Sequence, residues 1–429
     1  MEAAILLIAF FLFLAIGIPI AFSLGLSALA YKLLFLPRVP LTIIAQQMFG
    51  GINSFSLTAI PFFILVGTIM DAGGISKKLV EFIRTLVGHK RGGLGLIALF
   101  SSAIFATLSG SAVANVAATG ATTIPLMKKN GYSKGFASSI EAASSSLGAV
   151  IPPSLPFIVY GGLTNLSIKD LFIGGYVPGI IFIIGILIII LYKARKYNLP
   201  IYEKANAYER IQSFKRALPA LITPILIMGG ILAGIMTATE AGAIGCIYAL
   251  LVSFFVYKEL KLKDLPRVLL DAAITTGFVM LVMSIASLFG WIMAFENIPL
   301  KVANLLISIL HTPTTFMIGV VLLMIIIGTF IDTLSAIIIL GPVLLPASTM
   351  LGIDPLQFGL ILCMSLTFGV LTPPVGTCLF VAAGIAGTSV EDTARNALPF
   401  TVWLFGGTMI MGVVPQIILW LPRLAGYHG

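Results

Sequence analysis

The residues with chemistry to offer are two proline pairs inside long apolar stretches, Pro152-Pro153 and Pro373-Pro374, and two short polar interruptions, Ser109-Gly110-Ser111 and Asp332-Thr333. Proline donates no backbone N–H, so where a helix stops at Gly148-Ala149-Val150-Ile151-Pro152-Pro153, carbonyls one turn earlier lose their partners. Free carbonyls at a helix C-terminus attract cations. Together with the Ser109 and Ser111 hydroxyls they form an oxygen-only set suited to a hard ion such as sodium. The second group offers Gly369, Thr372 and Val375 against Gly328 and Asp332. Two cation sites of related design are expected, built more from backbone than from side chains. For either proline pair alone, a kink that only helps helices pack is the competing explanation.

Duplication favours the sites. At one constant offset, segment 109–178 repeats without a gap in 330–399: Gly120 falls on Gly341, Pro125 on Pro346, Gly131 on Gly352, Gly148 on Gly369, the proline pairs on each other and Pro178 on Pro399. Glycine and proline govern where a chain bends, so the repeat preserves a geometry. Broken helices at matching places in two halves point to a transporter's binding site.

The elements that position these residues must lie in a bilayer. The 429-residue chain is 59% hydrophobic and 10% charged, with mean hydropathy +1.11, which excludes a soluble globular protein. Apolar blocks of about 20 residues without period-two alternation specify helices and not a β-barrel. The start Met1-Glu2, with no basic residue before Lys32, lacks the charged front of a cleaved signal peptide, so residues 4–22 read as a span. Cys246, Cys363 and Cys378 sit in apolar segments without metal-ligand spacing and read as small core residues.

The net charge of +9 argues for sidedness and not for nucleic acid. Basic residues cluster at 193–216 and 258–267, and by the positive-inside rule both segments are cytoplasmic. Residues 92–127 are flanked by Lys90-Arg91 and Lys128-Lys129; a hairpin that enters and leaves through one face keeps both pairs on the cytoplasmic side. Its equivalent, 313–347, has no Lys or Arg near either end and should enter from outside. The expected fold is an all-α polytopic membrane protein with an inverted-topology repeat. Residues 1–192 form the first repeat, with re-entrant hairpin 92–127 and broken helix 133–163. Residues 193–216 are a cytoplasmic linker. Residues 217–429 form the second repeat, with hairpin 313–347 and broken helix 355–386. Other spans are expected at 2–17 and 19–36, or one kinked helix across both, then 55–72, 168–192, 217–236, 238–257, 270–294 and 397–421. Amphipathic arms along the interface are expected at Ile75–Val87 and Ile298–Ile309. Short, modestly charged exposed loops are expected around 37–54 and 311–314 and at the C-terminal Arg423–Gly429.

Four further acids lie in or near apolar stretches. Asp71 and Glu296 read as solvated caps at span ends, and Glu240 as the cap of a helix opening at Thr237. Glu141, among Ser138, Ser139, Ser144, Ser145 and Ser146, reads either as part of a close-packing serine run or as part of a translocation path. An intramembrane hydrolase needs a base beside its nucleophile, but His89, His311 and His428 lie at span ends or the C-terminus, so no enzyme is expected. An ion channel is compatible with carbonyl-rich breaks, although two hairpin tips closing on one midplane site favour alternating access.

The segments Gly17-Ile18-Pro19-Ile20-Ala21-Phe22, Pro61-Phe62-Phe63 leading to Gly73-Gly74-Ile75, Ser109-Gly110-Ser111-Ala112, Ile151-Pro152-Pro153-Ser154, Thr239-Glu240, Phe330-Ile331-Asp332 and Thr372-Pro373-Pro374-Val375-Gly376 carry a resemblance along the whole chain. In this order and spacing it resembles the large membrane subunit of tripartite ATP-independent periplasmic transporters, of the ion-transporter superfamily. The resemblance implies uptake of an organic acid anion (a C4-dicarboxylate, sialic acid or other sugar acid) across the bacterial inner membrane. It also implies an elevator mechanism, two or more coupled sodium ions, a small four-helix membrane subunit and a periplasmic substrate-binding protein. One sodium site is implied at Ser109, Gly148, Ile151 and Pro153, the other at Gly328, Gly369, Thr372 and Val375. The substrate position is implied between the hairpin tips at Ser111 and Asp332, with Ser154 and Thr333. The nearest alternative is a stand-alone sodium/dicarboxylate symporter of the same superfamily.

Overall fold

Short polar side chains set where many of the helices begin. The computed structural model describes residues 2–201, 203–373 and 376–429, and the regular elements among them are all helical. α1 (Glu2–Ala15) and α2 (Ile20–Phe35) pack on one another across a break where Gly17 takes φ +87°, so the first 36 residues carry two helices. α3 (Thr42–Ile52), α4 (Ala59–Ala72) and α5 (Ile75–Val87) follow. α6 (Gly93–Ser109) turns at Gly110 into α7 (Ala112–Lys129), whose first turn is capped by the Ser111 hydroxyl accepting from the Ala114 N–H. α8 (Lys134–Ser146) tightens through a 3₁₀ turn at Leu147–Ala149 and stops. α9 (Leu155–Thr164) restarts beyond the prolines, capped by Ser154, and α10 (Ile168–Lys196) closes this half.

The second half opens with α11 (Ala207–Leu232) and α12 (Ala238–Leu251), each started by a capping box, Asn206 with Glu209 and Thr237 with Glu240. Then come α13 (Leu265–Phe295), α14 (Ile298–Ile309), α15 (Pro313–Gly328), α16 (Thr333–Met350), α17 (Pro355–Gly369), α18 (Thr377–Ala386), α19 (Val390–Val413) and α20 (Gln416–Leu424). Among the described residues seven helices are long and apolar enough to cross a membrane, and α14 and α15 form a further pair bent by 113°.

The two halves correspond in the fold as well as in the sequence. α7 and α16 keep the offset of the sequence repeat at both ends, Ala112 answering to Thr333 and Lys129 to Met350. α8 and α17 begin at Lys134 and Pro355 with the same spacing. The packing follows suit: α7 lies against α18 as α16 lies against α9, α6 against α10 as α15 against α19, and α8 against α19 as α17 against α10. Each hairpin therefore packs on its own half's broken helix and on the far segment of the other half's. Tyr160 of α9 is fully buried at this crossing. A Cβ on Gly359 would lie 2.1 Å from its ring, and one on Gly341 3.4 Å, so the ring fits because those two helices carry glycine there. A second group, α2, α3, α4, α11, α12 and α13, packs among itself. It meets the first where α4 touches α6 and α9 and where the Phe63 and Phe172 rings sit 6.5 Å apart.

Several expected boundaries shift for identifiable reasons. The run expected as one span at 397–421 is two helices: Ser389 caps α19 early by accepting from the Asp392 N–H, and Pro415 separates it from the amphipathic α20. The 37–54 stretch, expected as an exposed loop, contains the helix α3, which has no fully buried residue and packs on α13 through Ser284 Oγ, which donates to Met48 O. The expected linker 193–216 is helical at both ends, because α10 runs on to Lys196 and the Asn206 capping box starts α11 at Ala207. Glu240 caps its helix as expected, and both amphipathic arms, Ile75–Val87 and Ile298–Ile309, have the expected bounds.

Candidate functional site

The first candidate site forms where the α6–α7 tip meets the break between α8 and α9. Gly110 takes φ +60°, a conformation open to glycine at no steric penalty, and turns its carbonyl toward the Leu155 N–H, which donates to it at 3.4 Å. A Cβ on Gly110 would come within 3.2 Å of Pro153 O, and one on Gly148 within 3.1 Å of Ser111 O and 3.3 Å of Asn115 Nδ2. The fold thus brings Ser109, Ser111, Gly148 and Pro153 to one place, with Ile151 in the same short break. Ser109 and Ile151 are 5% and 8% exposed, and Gly148 and Pro153 are buried.

The hydrogen-bond accounting gives this cluster its character. Val150 and Ile151 N–H both donate to Leu147 O, and the Ser154 hydroxyl donates to Ala149 O at 2.6 Å. No described N–H or side chain donates to the carbonyls of Ser109, Gly148, Ile151 or Pro153. Buried carbonyls normally have partners. Four that lack them fit a hard cation, because Ser109 and Gly148 lie at the C-terminal ends of α6 and the α8 turn, which carry partial negative charge, and all four carbonyls offer oxygen. Among the described residues no cluster of His, Cys, Asp or Glu offers an alternative metal site.

The second candidate site is the counterpart at the C-termini of α15 and α17. Gly328 and Gly369 meet backbone to backbone: a Cβ on Gly369 would lie 2.6 Å from the Cα and C of Gly328, and one on Gly328 would lie 2.8 Å from Leu366 O. Thr372 Oγ is buried without a hydrogen-bond partner among the described residues, an orphaned oxygen that suits a cation. Unlike the first site, two of its carbonyls are engaged, Gly369 O by Thr372 N–H and Thr372 O by Gly376 N–H. Val375 lies outside the described residues.

The expected substrate residues divide. Ser111 and Asp332 hold equivalent N-cap positions on α7 and α16; Ser111 is half-buried and Asp332 exposed. The Asp332 carboxylate accepts from Ser335 N–H at 3.0 Å, placing an acid on the helix end that would otherwise attract an anion, whereas the Ser111 hydroxyl leaves its helix end with its partial positive charge. Thr333, half-buried, opens α16 beside Asp332. Ser154 is fully buried, and its hydroxyl braces the break through Ala149 O.

Two residues here were not singled out from the sequence. Asn115, fully buried one turn into α7, donates from Nδ2 to Ser102 O at 2.9 Å and Ser145 O at 3.5 Å, tying α6, α7 and α8 together beneath the tip. An amide so close after Ser-Gly-Ser in an apolar helix was its available signal. Gly67 of α4 is where the hairpin tip touches the second helix group: a Cβ there would lie 3.2 Å from Ser109 Cα. Nothing in the local sequence marks it.

The family described as tripartite ATP-independent periplasmic transporter, DctM component, matches residues 7–417. The 2,3-diketo-L-gulonate TRAP transporter large permease protein YiaN of Escherichia coli K12 is 37% identical over 406 residues, covering 95% of this chain and 95% of its own. The sialic acid TRAP transporter large permease protein SiaM of Vibrio cholerae is 36% identical over 408 residues, again 95% of each chain. In three dimensions the chain is similar to the crystal structure of the YdaH transporter of Alcanivorax borkumensis, with a TM-score of 0.61 over 87% of this chain and 88% of that one. At 15% identity that likeness concerns the fold.

Proposed function

The chain belongs to the DctM-component family of tripartite ATP-independent periplasmic transporters, and from that premise we propose that it takes up an organic acid anion across the bacterial inner membrane, driven by sodium. In this reading a periplasmic binding protein delivers the substrate, a small four-helix membrane subunit completes the assembly, and the hairpins and broken helices move as a body against the remaining helices. The observation that carries the sodium part is the set of four partnerless buried carbonyls at Ser109, Gly148, Ile151 and Pro153. When bound, sodium would neutralise the oxygen cluster and bring positive charge beside the Ser111-capped N-terminus of α7, where a substrate carboxylate gains from both. A carboxylated sugar or a dicarboxylate suits that arrangement, as the diketogulonate and sialic acid relatives do by their names.

The reading is tested by reconstituting the chain in proteoliposomes with and without its two partners and scanning organic acids in sodium and in potassium. Uptake should be near background for the chain alone, rise at least tenfold with both partners, and vanish when potassium replaces sodium. Sodium-driven uptake by the chain alone would indicate a stand-alone symporter.

The inverted arrangement is proposed on the charge pattern. Lys128 Nζ donates to Ala386 O at 2.5 Å, Lys134 Nζ to Gly387 O at 3.2 Å and Lys193 Nζ to Asn396 O at 3.0 Å, so the base of the first hairpin shares one end of the molecule with the basic end of α10. By the positive-inside rule that end is cytoplasmic. In a background lacking the three native cysteines, Arg91→Cys and Lys129→Cys should both resist an impermeant thiol reagent added outside, and Thr312→Cys and Leu351→Cys should both react. Opposite labelling of 91 and 129 would mean that 92–127 crosses the bilayer.

A further inference from the structure

Glu141 lies in the middle of α8, fully buried, and contributes to neither candidate site. Its carboxyl group is the hub of a hydroxyl cage. Ser102 Oγ of α6 reaches Oε1 at 2.8 Å, Ser145 Oγ of α8 reaches it at 2.9 Å, Thr119 Oγ of α7 also contacts it, and Thr123 Oγ of α7 reaches Oε2 at 2.5 Å. Gly120 leaves the room for it, since a Cβ there would lie 3.0 Å from Glu141 Cγ. No cation answers the acid. α6 has no ionisable residue, and α7 has Lys128 and Lys129 only in its last turn. Lys128, Lys134 and Lys193 are committed to carbonyls at the helix ends. Cys378 on α18, Glu391, Asp392 and Arg395 near the start of α19, and Lys169, Asp170, Tyr176, Tyr192, Arg195 and Lys196 on α10 complete the titratable groups on the elements packed against α8. The one ion pair among the described residues, Arg267 with Asp271, is elsewhere.

The cage leads directly to the first cation site. Ser102 and Ser145, which hold the carboxyl group, present the backbone carbonyls that Asn115 Nδ2 binds, and Thr119 Oγ reaches both Asn115 O at 2.7 Å and Asn115 Oδ1 at 3.3 Å. Asn115 in turn lies against Gly148 beside Ser111 O. We propose that Glu141 is a positioning residue whose hydrogen-bonding capacity, and not its charge, clamps the first hairpin onto the broken helix and so sets the spacing of the carbonyls at Ser109, Gly148, Ile151 and Pro153. A buried carboxyl group bonded to three helices fixes their relative height at one point, and networks of this kind hold a single arrangement only when every member is satisfied. The proposal rests on the sodium reading for its consequence, but the clamp itself does not depend on it.

The test compares Glu141→Gln, which keeps the shape and most of the hydrogen bonds, with Glu141→Leu, which keeps only the volume. Two readouts are taken on purified protein in detergent: hydrogen exchange across 109–123, and the rise in unfolding temperature with sodium against choline. Glu141→Leu should speed exchange and raise the sodium needed for half the stabilisation about tenfold, the scale of one or two lost buried hydrogen bonds. Glu141→Gln should match the wild type in both. If the leucine variant does not fold, Thr119→Val with Thr123→Val removes two cage hydroxyls and should speed exchange in the same way. Unchanged exchange in the cage-deficient variants overturns the clamp, and a glutamine variant as loose as the leucine one overturns the claim that charge is dispensable. A wild type that gains no stability from sodium, with exchange responding as expected, would sink the sodium reading and leave the clamp standing.

Discussion

Gly369→Val is expected to cut sodium-driven uptake by two orders of magnitude or more while the protein still inserts and purifies as a folded species. The new Cβ would lie 2.6 Å from the Cα and C of Gly328 and 2.8 Å from its O. All three are backbone atoms, so no side chain can swing aside, and α15 and α17 must separate at their C-terminal ends. Overpacking of this kind costs about 1–3 kcal/mol, which a large membrane protein survives. An ion site tolerates displacements of only about 0.2 Å in its ligands, so the cage fails well before the fold does. Gly148→Val should be milder, with a loss of roughly tenfold, because the atoms facing it stand farther off, Ser111 O at 3.1 Å and Ser111 C and Asn115 Nδ2 at 3.3 Å, and smaller shifts relieve the contact. Gly384→Val is the control: nothing lies within 4 Å of its Cβ, and uptake should stay near wild type. Initial rates per folded protein decide the matter. Full activity in Gly369→Val would remove the second site from the mechanism.

The order of that series shows what can and cannot be read from the residues. The breaks at Gly148 to Pro153 and Gly369 to Pro374 are legible because a missing N–H and a missing Cβ act locally, and the constant offset between the repeats tells which local breaks belong together. The cap at Thr237 and the amphipathic arms are legible for the same reason. The difference in severity between Gly148 and Gly369 is not, since it depends on how near the facing backbone stands, 3.1 Å in one case and 2.6 Å in the other. α3 escapes a sequence reading because Thr42–Ile52 contains two Gln and two Gly and is held by Ser284, which lies in the other half of the chain. The division of the last apolar run escapes it because hydropathy continues across Pro415 while hydrogen bonding does not. Asn115 and Glu141 are visible as polar residues in apolar helices, but their partners lie on three different helices.

Gly67→Phe is expected to stall the transport cycle without impairing sodium binding. In this arrangement the tip of the first hairpin rests on α4, with Ser109 Cα 3.2 Å from where the Gly67 Cβ would be, a separation that already requires a neighbour to give way. A phenyl ring at that point has no room unless the tip leaves α4. If the hairpins and broken helices move as a body against α4 and its partners, this contact belongs to one end of the movement, and the ring destabilises that end relative to the other. A penalty of about 1–3 kcal/mol shifts a two-state equilibrium roughly 5- to 150-fold, enough to leave one of the two access states scarcely populated. In such a movement the carbonyls of Ser109 at the tip and of Gly148, Ile151 and Pro153 in the α8–α9 break would travel together, so stabilisation by sodium in detergent should persist while uptake with both partners falls at least tenfold. Gly67→Ala, adding only the Cβ, should show a small fraction of that loss. Wild-type uptake in Gly67→Phe would mean that the tip does not pass α4 during transport, and movement of the hairpin body against that helix would have to be given up.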